Sequence, residues 1–316
     1  MKHYIVLSLI LVTFDGLAQP DYSRKMEQYM QAQVNAYQFN GNVLVAKKGT
    51  ILYQSALGYA NYDTQKPLDL TSVFQLASVS KQFAAMSILL LKEQGKLSLS
   101  DSLGKFFPQL SYPTITLRQL LVHTSGLPDH EEMMALKWDH KQVAFNQDMI
   151  QLLAREKPPV HFKPGSKWEY SNTGYSLLSS IVEKVSGQTW GDFTAQYIFK
   201  PLAMNHSRVY ITRRSKGEII PDYAFGYIYS DSLTRYILPD RLPQFDFVYY
   251  LDGIHGEDGI TSTVGDLLTW DRALKNHTLL SEATQREMLS GQALVDTLNQ
   301  EYYGYGVILA REISEL

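Results

Sequence analysis

The chain has 316 residues, 45% of them hydrophobic and 19% charged, enough apolar material for one sizeable core or for two parts sharing an interface. Its formal net charge of −3, without a basic stripe or arginine-rich arm, speaks against nucleic acid as a partner. The absence of cysteine excludes a disulfide, a thiol nucleophile and lipid attachment at a signal cleavage site.

At the N-terminus, Lys2 and His3 precede an apolar stretch from Ile5 to Phe14, and the small residues Gly16 and Ala18 stand just ahead of Gln19. This is the pattern of a secretory signal over residues 1–18, and the stretch is too short to span a bilayer. The expected product is periplasmic or secreted, with no stable membrane insertion. Next, Met26, Tyr29, Met30, Val34 and Tyr37 share one face of an expected helix that Gly41 would end. The runs NVLVAKK and ILYQSAL around Gly49 signal a hairpin, and Tyr59-Ala60-Asn61 after it reads as a turn.

Ser78-Val79-Ser80-Lys81 opens the run VSKQFAAMSILLLKEQG, apolar nearly all round and closed by Gly95, which reads as a buried helix. A serine hydroxyl is a weak nucleophile that needs a base within hydrogen-bond reach. Lys81 follows Ser78 by three positions, so on a helix both side chains share one face. The unpaired N–H groups of a helix N-terminus also favour a developing oxyanion. The bland alternative is a capping serine and a snorkelling lysine. A second S-x-x-K, Ser102 to Lys105, contains Gly104 and is followed by Pro108, so it reads as a loop or frayed turn and is set aside.

Thr116 to Gln119 has the form of a capping box before a short helix, and His123-Thr124-Ser125-Gly126 follows it. The eight histidines show no H-E-x-x-H and no tight cluster, so a metallohydrolase is poorly supported. His130 and His140 in DHEEMMALKWDH read as solvated helix or loop residues. Tyr170-Ser171-Asn172 lies between the turn at Pro164-Gly165 and the helical stripe Leu177, Leu178, Ile181, Val182 and Val185, which Gly187 ends. A tyrosine beside a lysine can shuttle a proton to a leaving group, and an asparagine can orient both substrate and lysine. Simple capping by Asn172 is the alternative.

The tyrosine-rich, proline-spaced stretch from Pro221 to Tyr250 suggests either a cleft border or surface packing. Helices are expected from Thr263 and from Ser281, with a strand at YYGYGVILA. The pattern is α+β: a sheet-containing part from residues 19–72 and 253–316, and a mostly helical part over 73–252, with the candidate serine between them. No nucleotide-binding glycine motif is present, so no cofactor and no metal are expected.

Five segments together resemble the beta-lactamase-like serine hydrolases, the branch with class C beta-lactamases, D-alanyl-D-alanine carboxypeptidases and related esterases. They are NVLVAKKGTILYQSALGYANYD, FQLASVSKQFAA, ITLRQLLVHTSGLPD, FKPGSKWEYSNTGYSLLSSIVEKVSG and DGITSTVGDLLTWDRAL. The resemblance implies that fold, with an antiparallel sheet flanked by helices and a mostly helical domain. It implies Ser78 as nucleophile with its backbone N–H in the oxyanion hole, Lys81 and Tyr170 as the proton-handling pair, and Asn172 as orienter. It also makes His123 to Gly126 a structural landmark.

Such proteins carry a third motif, K-[ST]-G or H-x-G, on a strand at the site, and no such tripeptide follows Tyr170 here. His255 in His255-Gly256-Glu257 is a weak candidate for that role and otherwise a loop histidine. The resemblance further implies two more strands and a helix after YYGYGVILA, hence a C-terminally truncated member with an incomplete sheet. The expected function is an exported serine hydrolase forming an acyl-enzyme on an amide, beta-lactam or ester carbonyl, D-alanyl peptides and beta-lactams foremost, with peptidoglycan as a further partner. The alternative is a non-catalytic or acylation-only member that binds peptidoglycan or another partner.

Overall fold

The computed structural model describes residues 21–36, 39–212 and 220–310, so the signal expected over 1–18 lies outside the described residues. α1 (Asp21–Asn35) stops short of the expected Gly41, because that residue already begins β1 (Gly41–Lys47), the first strand of the hairpin with β2 (Thr50–Leu57). β3 (Tyr59–Asn61) pairs antiparallel with β4 (Lys66–Pro67), which corrects the turn expected at Tyr59-Ala60-Asn61. Ala60 is fully buried in that extended segment, and the turn falls at residues 62–65.

β5 (Phe74–Gln75) leads into a 3-10 turn over Ala77–Val79 and then α2 (Ser80–Glu93). Short helices α3 (Leu103–Phe106), α4 (Leu117–Leu121), α5 (His130–Lys137) and α6 (Asn146–Glu156) precede α7 (Asn172–Ser186) and α8 (Trp190–Thr194). β6 (Arg208–Val209), β7 (Ile228–Ser230), β8 (Arg235–Ile237), α9 (Phe247–Tyr250) and β9 (Ile260–Ser262) follow. The described chain closes with α10 (Val264–Lys275), α11 (Glu282–Met288), β10 (Ala293–Asp296), β11 (Glu301–Tyr303) and β12 (Ile308–Leu309).

This is the expected α+β architecture, its strands gathered in small antiparallel sheets: β1–β2, β3–β4, β5–β9–β6, β7–β8 and β10–β11–β12. Apart from the first hairpin, the strands are too short to carry a period-2 pattern. The helices hold the core. α2 packs along α7, and the stripe Leu177, Leu178, Ile181 and Val182 is fully buried, each side chain contributing about 1.5–3 kcal/mol by leaving water. Phe83 of α2 stacks on Trp270 of α10 at 4.4 Å. The capping box at Thr116 and Gln119 is present, and Thr263 and Ser281 cap α10 and α11 as expected. Among the described residues no helix is long and apolar enough to cross a membrane.

Candidate active site

Ser78 is held at the mouth of α2 by the small β5–β9–β6 sheet. The Leu76 N–H donates to the Ile260 carbonyl at 2.8 Å, and the Ile260 N–H donates to Ser80 Oγ at 3.2 Å. Between these anchors Ala77 adopts a φ of +46°, a left-handed conformation that a non-glycine residue enters at a cost of about 1–2 kcal/mol. The turn lifts Ser78 into solvent while Lys81, one helical turn on, is 1% exposed. The expected continuous helix is therefore a 3-10 turn running into α2, and the three-residue spacing still places the two side chains together.

Lys81 Nζ lies 3.2 Å from Ser78 Oγ, 2.8 Å from Asn172 Oδ1 and 3.1 Å from the Glu257 carbonyl. Tyr170 is half-exposed, and its hydroxyl donates to Ser78 Oγ at 2.7 Å. Its ring lies 4.7 Å from Lys81 Nζ. The structure thus brings together all four residues singled out in the sequence, Ser78, Lys81, Tyr170 and Asn172.

Tyr170 is fixed through its neighbours. The Glu169 N–H donates to the His123 carbonyl at 2.9 Å, and the Ser171 N–H donates to His123 Nδ1 at 3.0 Å. Ser171 then caps α7 by accepting from the Gly174 N–H. His123 is fully buried with its ring 4.5 Å from Tyr170, 5.0 Å from Tyr175 and 4.5 Å from Tyr303. Burial, and then the Lys81 charge, push its imidazole down to about 3, so it stays neutral. The rest of the segment ties loops together, Thr124 accepting from the Gly165 N–H and Gly126 from the His161 N–H.

Two carboxylates stand behind this group, and sequence reasoning missed both. Asn172 Nδ2 donates to Glu131 Oε1 at 2.5 Å, so Asn172 bridges the lysine and an acid. Burial and then the neighbouring Asp129 raise the Glu131 carboxyl above the ordinary range. Glu257 sits in a tight turn between Gly256, with φ +110°, and Gly259, with φ +103°. A Cβ on Gly256 would come within 2.4 Å of Ser179 Oγ and 2.5 Å of the Tyr175 carbonyl, so only glycine fits there. Burial and then Asp258 raise the Glu257 carboxyl.

His130 corrects a second expectation. It is fully buried at the start of α5, where Asp129 caps the helix and the Thr173 hydroxyl receives the His130 N–H. Its ring and the carboxylates of Glu131 and Glu257 bring donor atoms within 4.8 Å of one another, the set among the described residues able to hold a metal ion. His140 is also engaged, 2.7 Å from Asp246 Oδ2 and stacked on Tyr250 at 4.0 Å.

The remaining candidates stand apart. Ser102 precedes the one-turn helix α3, and Lys105 bonds Asp101 at 2.8 Å rather than Ser102. His255 lies in the loop before β9, not on a strand, with its backbone bonded to Asn146 and its ring against Tyr210. The tyrosine-rich stretch lines a cavity of about 340 Å³ with Tyr62, Phe74, Gln75, Tyr227 and Tyr236. Gln75 bonds Asp258, so this cavity adjoins the turn that carries Glu257.

A family model described as Beta-lactamase matches residues 24–314. Penicillin-binding protein 4* of Bacillus subtilis (strain 168) is 42% identical over 273 residues, covering 86% of this chain and 60% of that protein. A D-aminopeptidase of Cereibacter sphaeroides is 28% identical over 250 residues, covering 78% of this chain and 45% of that protein. The chain therefore spans about three fifths or less of the length of these relatives. A penicillin binding protein from Bacillus halodurans superposes with a TM-score of 0.77 at 26% identity, over 90% of this chain and 84% of that one. A D-amino acid amidase from Ochrobactrum anthropi SV3, at TM-score 0.70 and 24% identity over 92% of this chain and 81% of that one, shares the fold.

Proposed function

The chain belongs to the beta-lactamase family of serine hydrolases, and from that premise we propose that it forms an acyl-enzyme on Ser78 with a D-alanyl peptide, a beta-lactam or an ester. The observation that carries this reading is the pair of contacts on Ser78 Oγ, 3.2 Å to Lys81 Nζ and 2.7 Å to the Tyr170 hydroxyl. Lys81 Nζ, held by the Asn172 side-chain oxygen and the Glu257 carbonyl, is the group placed to take the Ser78 proton.

Ser78 Oγ attacks the substrate carbonyl and passes its proton to Lys81. The Ser78 backbone N–H is one donor to the resulting oxyanion. Collapse breaks the carbonyl bond to nitrogen or oxygen, Tyr170 gives its proton to the departing amine or alkoxide, and Lys81 reprotonates Tyr170. Attack of water on the Ser78 ester then releases the acid and restores the serine. Asn172 orients both Lys81 and the substrate. The names of the relatives, a penicillin-binding protein and a D-aminopeptidase, favour peptide and beta-lactam carbonyls over simple esters.

We further propose that the protein is exported, on the signal pattern ahead of Gln19; N-terminal sequencing of the secreted form should begin there. The second reading is stoichiometric acylation of Ser78 without turnover. A panel of chromogenic esters, beta-lactams and D-amino-acid peptides, run beside Ser78→Ala, decides between them. Turnover lost in Ser78→Ala supports hydrolysis. Ser78 labelled without turnover supports acylation alone, and label on Ser102 or Ser125 overturns both.

A further inference from the structure

We propose that His130, Glu131 and Glu257 form a binding site for a divalent cation of the zinc class, set behind the Lys81–Asn172 pair. Their donor atoms lie within 4.8 Å of one another although two of the groups are carboxylates. Tetrahedral donors at zinc bond lengths stand about 3.3 Å apart, so a small closure of the two flexible acid side chains suffices.

The histidine is preset for ligation. The Thr173 hydroxyl donates its hydrogen to the Pro128 carbonyl at 2.8 Å, so towards His130 Nδ1, 3.2 Å away, it acts as an acceptor. Nδ1 therefore carries the ring proton, and Nε2 presents a lone pair. That Nε2 is buried and has no hydrogen-bond partner, in a side chain with 0% exposure. Leaving such an atom unpaired costs about 1–3 kcal/mol, a cost that ligation removes. An imidazole whose second ring N–H is held by a hydrogen-bond acceptor, here the Thr173 hydroxyl, is also how histidines are oriented towards metals.

Charge and chemistry agree. A neutral imidazole and two carboxyl groups that give up their protons to a bound dication would offer it two negative charges, and Asp129 and Asp258 add to the field, against which stands Lys81. Imidazole in the donor set favours zinc or a similar transition metal over magnesium or calcium. Glu131 is also the acceptor for Asn172, so an ion that engages Glu131 acts on the group that orients Lys81. Occupancy is expected to slow labelling of Ser78, and chelation to restore it.

The test uses the full chain, stripped with chelator and titrated with zinc against a chromophoric indicator. The expected result is one tight equivalent per chain, weakened at least about tenfold by His130→Ala and by Glu257→Gln, the scale at which groups around a metal act. Ser78→Ala should bind zinc unchanged, which separates this proposal from the hydrolase reading. Circular dichroism checks that the variants fold; should His130→Ala fail to, Glu257→Gln at the partly exposed turn decides alone. No saturable binding overturns the site. So does binding that Glu257→Gln leaves untouched, which would locate the ion at surface pairs such as His161 with Glu169.

Discussion

His123 holds Tyr170 from both sides: its carbonyl takes the N–H of Glu169 at 2.9 Å, its Nδ1 takes the N–H of Ser171 at 3.0 Å, and its ring packs on the tyrosine at 4.5 Å. A residue that never touches Ser78 therefore sets where the Tyr170 hydroxyl falls. His123→Ala should lower the rate of Ser78 acylation by about ten- to hundredfold, the cost of a small misplacement of a reacting group. His123→Asn, which keeps a side-chain acceptor, should recover most of it. Labelling rates with a fluorescent penicillin measure both, and an unchanged rate in His123→Ala would show that Tyr170 needs no such support.

The buried imidazole also makes stability depend on pH. Its folded value, about 3, lies below its ordinary 6.5, so below pH 6.5 the unfolded chain binds a proton that the folded chain refuses. Stability from this group is complete above 6.5 and falls as pH drops towards 3. Glu131 and Glu257, raised above 4.5, act in the opposite sense: the folded chain keeps protons the unfolded one has lost, so their effect erodes stability as pH rises above 4.5. Comparison with His123→Asn isolates the histidine. Its cost in urea unfolding should be smaller at about pH 5 than at about pH 7.5 by about 2 kcal/mol, at about 1.4 kcal/mol per unit below 6.5. Equal costs at the two pH values would sink the argument.

Lys81→Ala removes the proposed base and leaves Asn172 Oδ1 and the Glu257 carbonyl without their shared donor. Acylation of Ser78 should fall by about two orders of magnitude or more, the scale of a general base. Labelling followed by peptide mapping tests it, and a rate within a few-fold of the parent chain would move the base elsewhere, Tyr170 first.

Gly256→Ala should be far more damaging than a surface change. The new methyl meets Ser179 Oγ at 2.4 Å and the Tyr175 carbonyl at 2.5 Å, on a backbone with φ +110°. We expect a loss of about 2 kcal/mol or more in thermal unfolding, together with weaker labelling as the Glu257 carbonyl shifts off Lys81. A variant as stable and as reactive as the parent would mean that the turn relaxes freely.

The four side chains gathered around Ser78 were legible because their spacing is local: Ser78 and Lys81 one turn apart, Tyr170 and Asn172 at a helix start that follows the turn at Pro164-Gly165. The capping box at Thr116 and the ends at Gly95 and Gly187 were legible for the same reason, since caps depend on near neighbours. Glu131 and Glu257 were not, because each reaches the site only through tertiary packing, from the first turn of α5 and from a glycine-bracketed loop. His130 misled for a related reason. DHEEMMALK looks solvated by composition, yet the helix it starts is docked by its first turn onto Thr173. An antiparallel sheet flanked by helices was expected from family resemblance, but strands of two or three residues leave no periodic trace of how they group.

α2 brings Lys81 and, just ahead of it, Ser78, while α7 begins with Asn172, two residues after Tyr170, and the two helices lie packed along each other. The proposed reaction centre therefore straddles a single helix–helix contact. Whatever shears that contact would displace Ser78, Lys81, Tyr170 and Asn172 relative to one another. The tyrosine-lined border is joined to this centre through Gln75 and Asp258, beside the Glu257 turn, so a change of shape there would reach Lys81 as well.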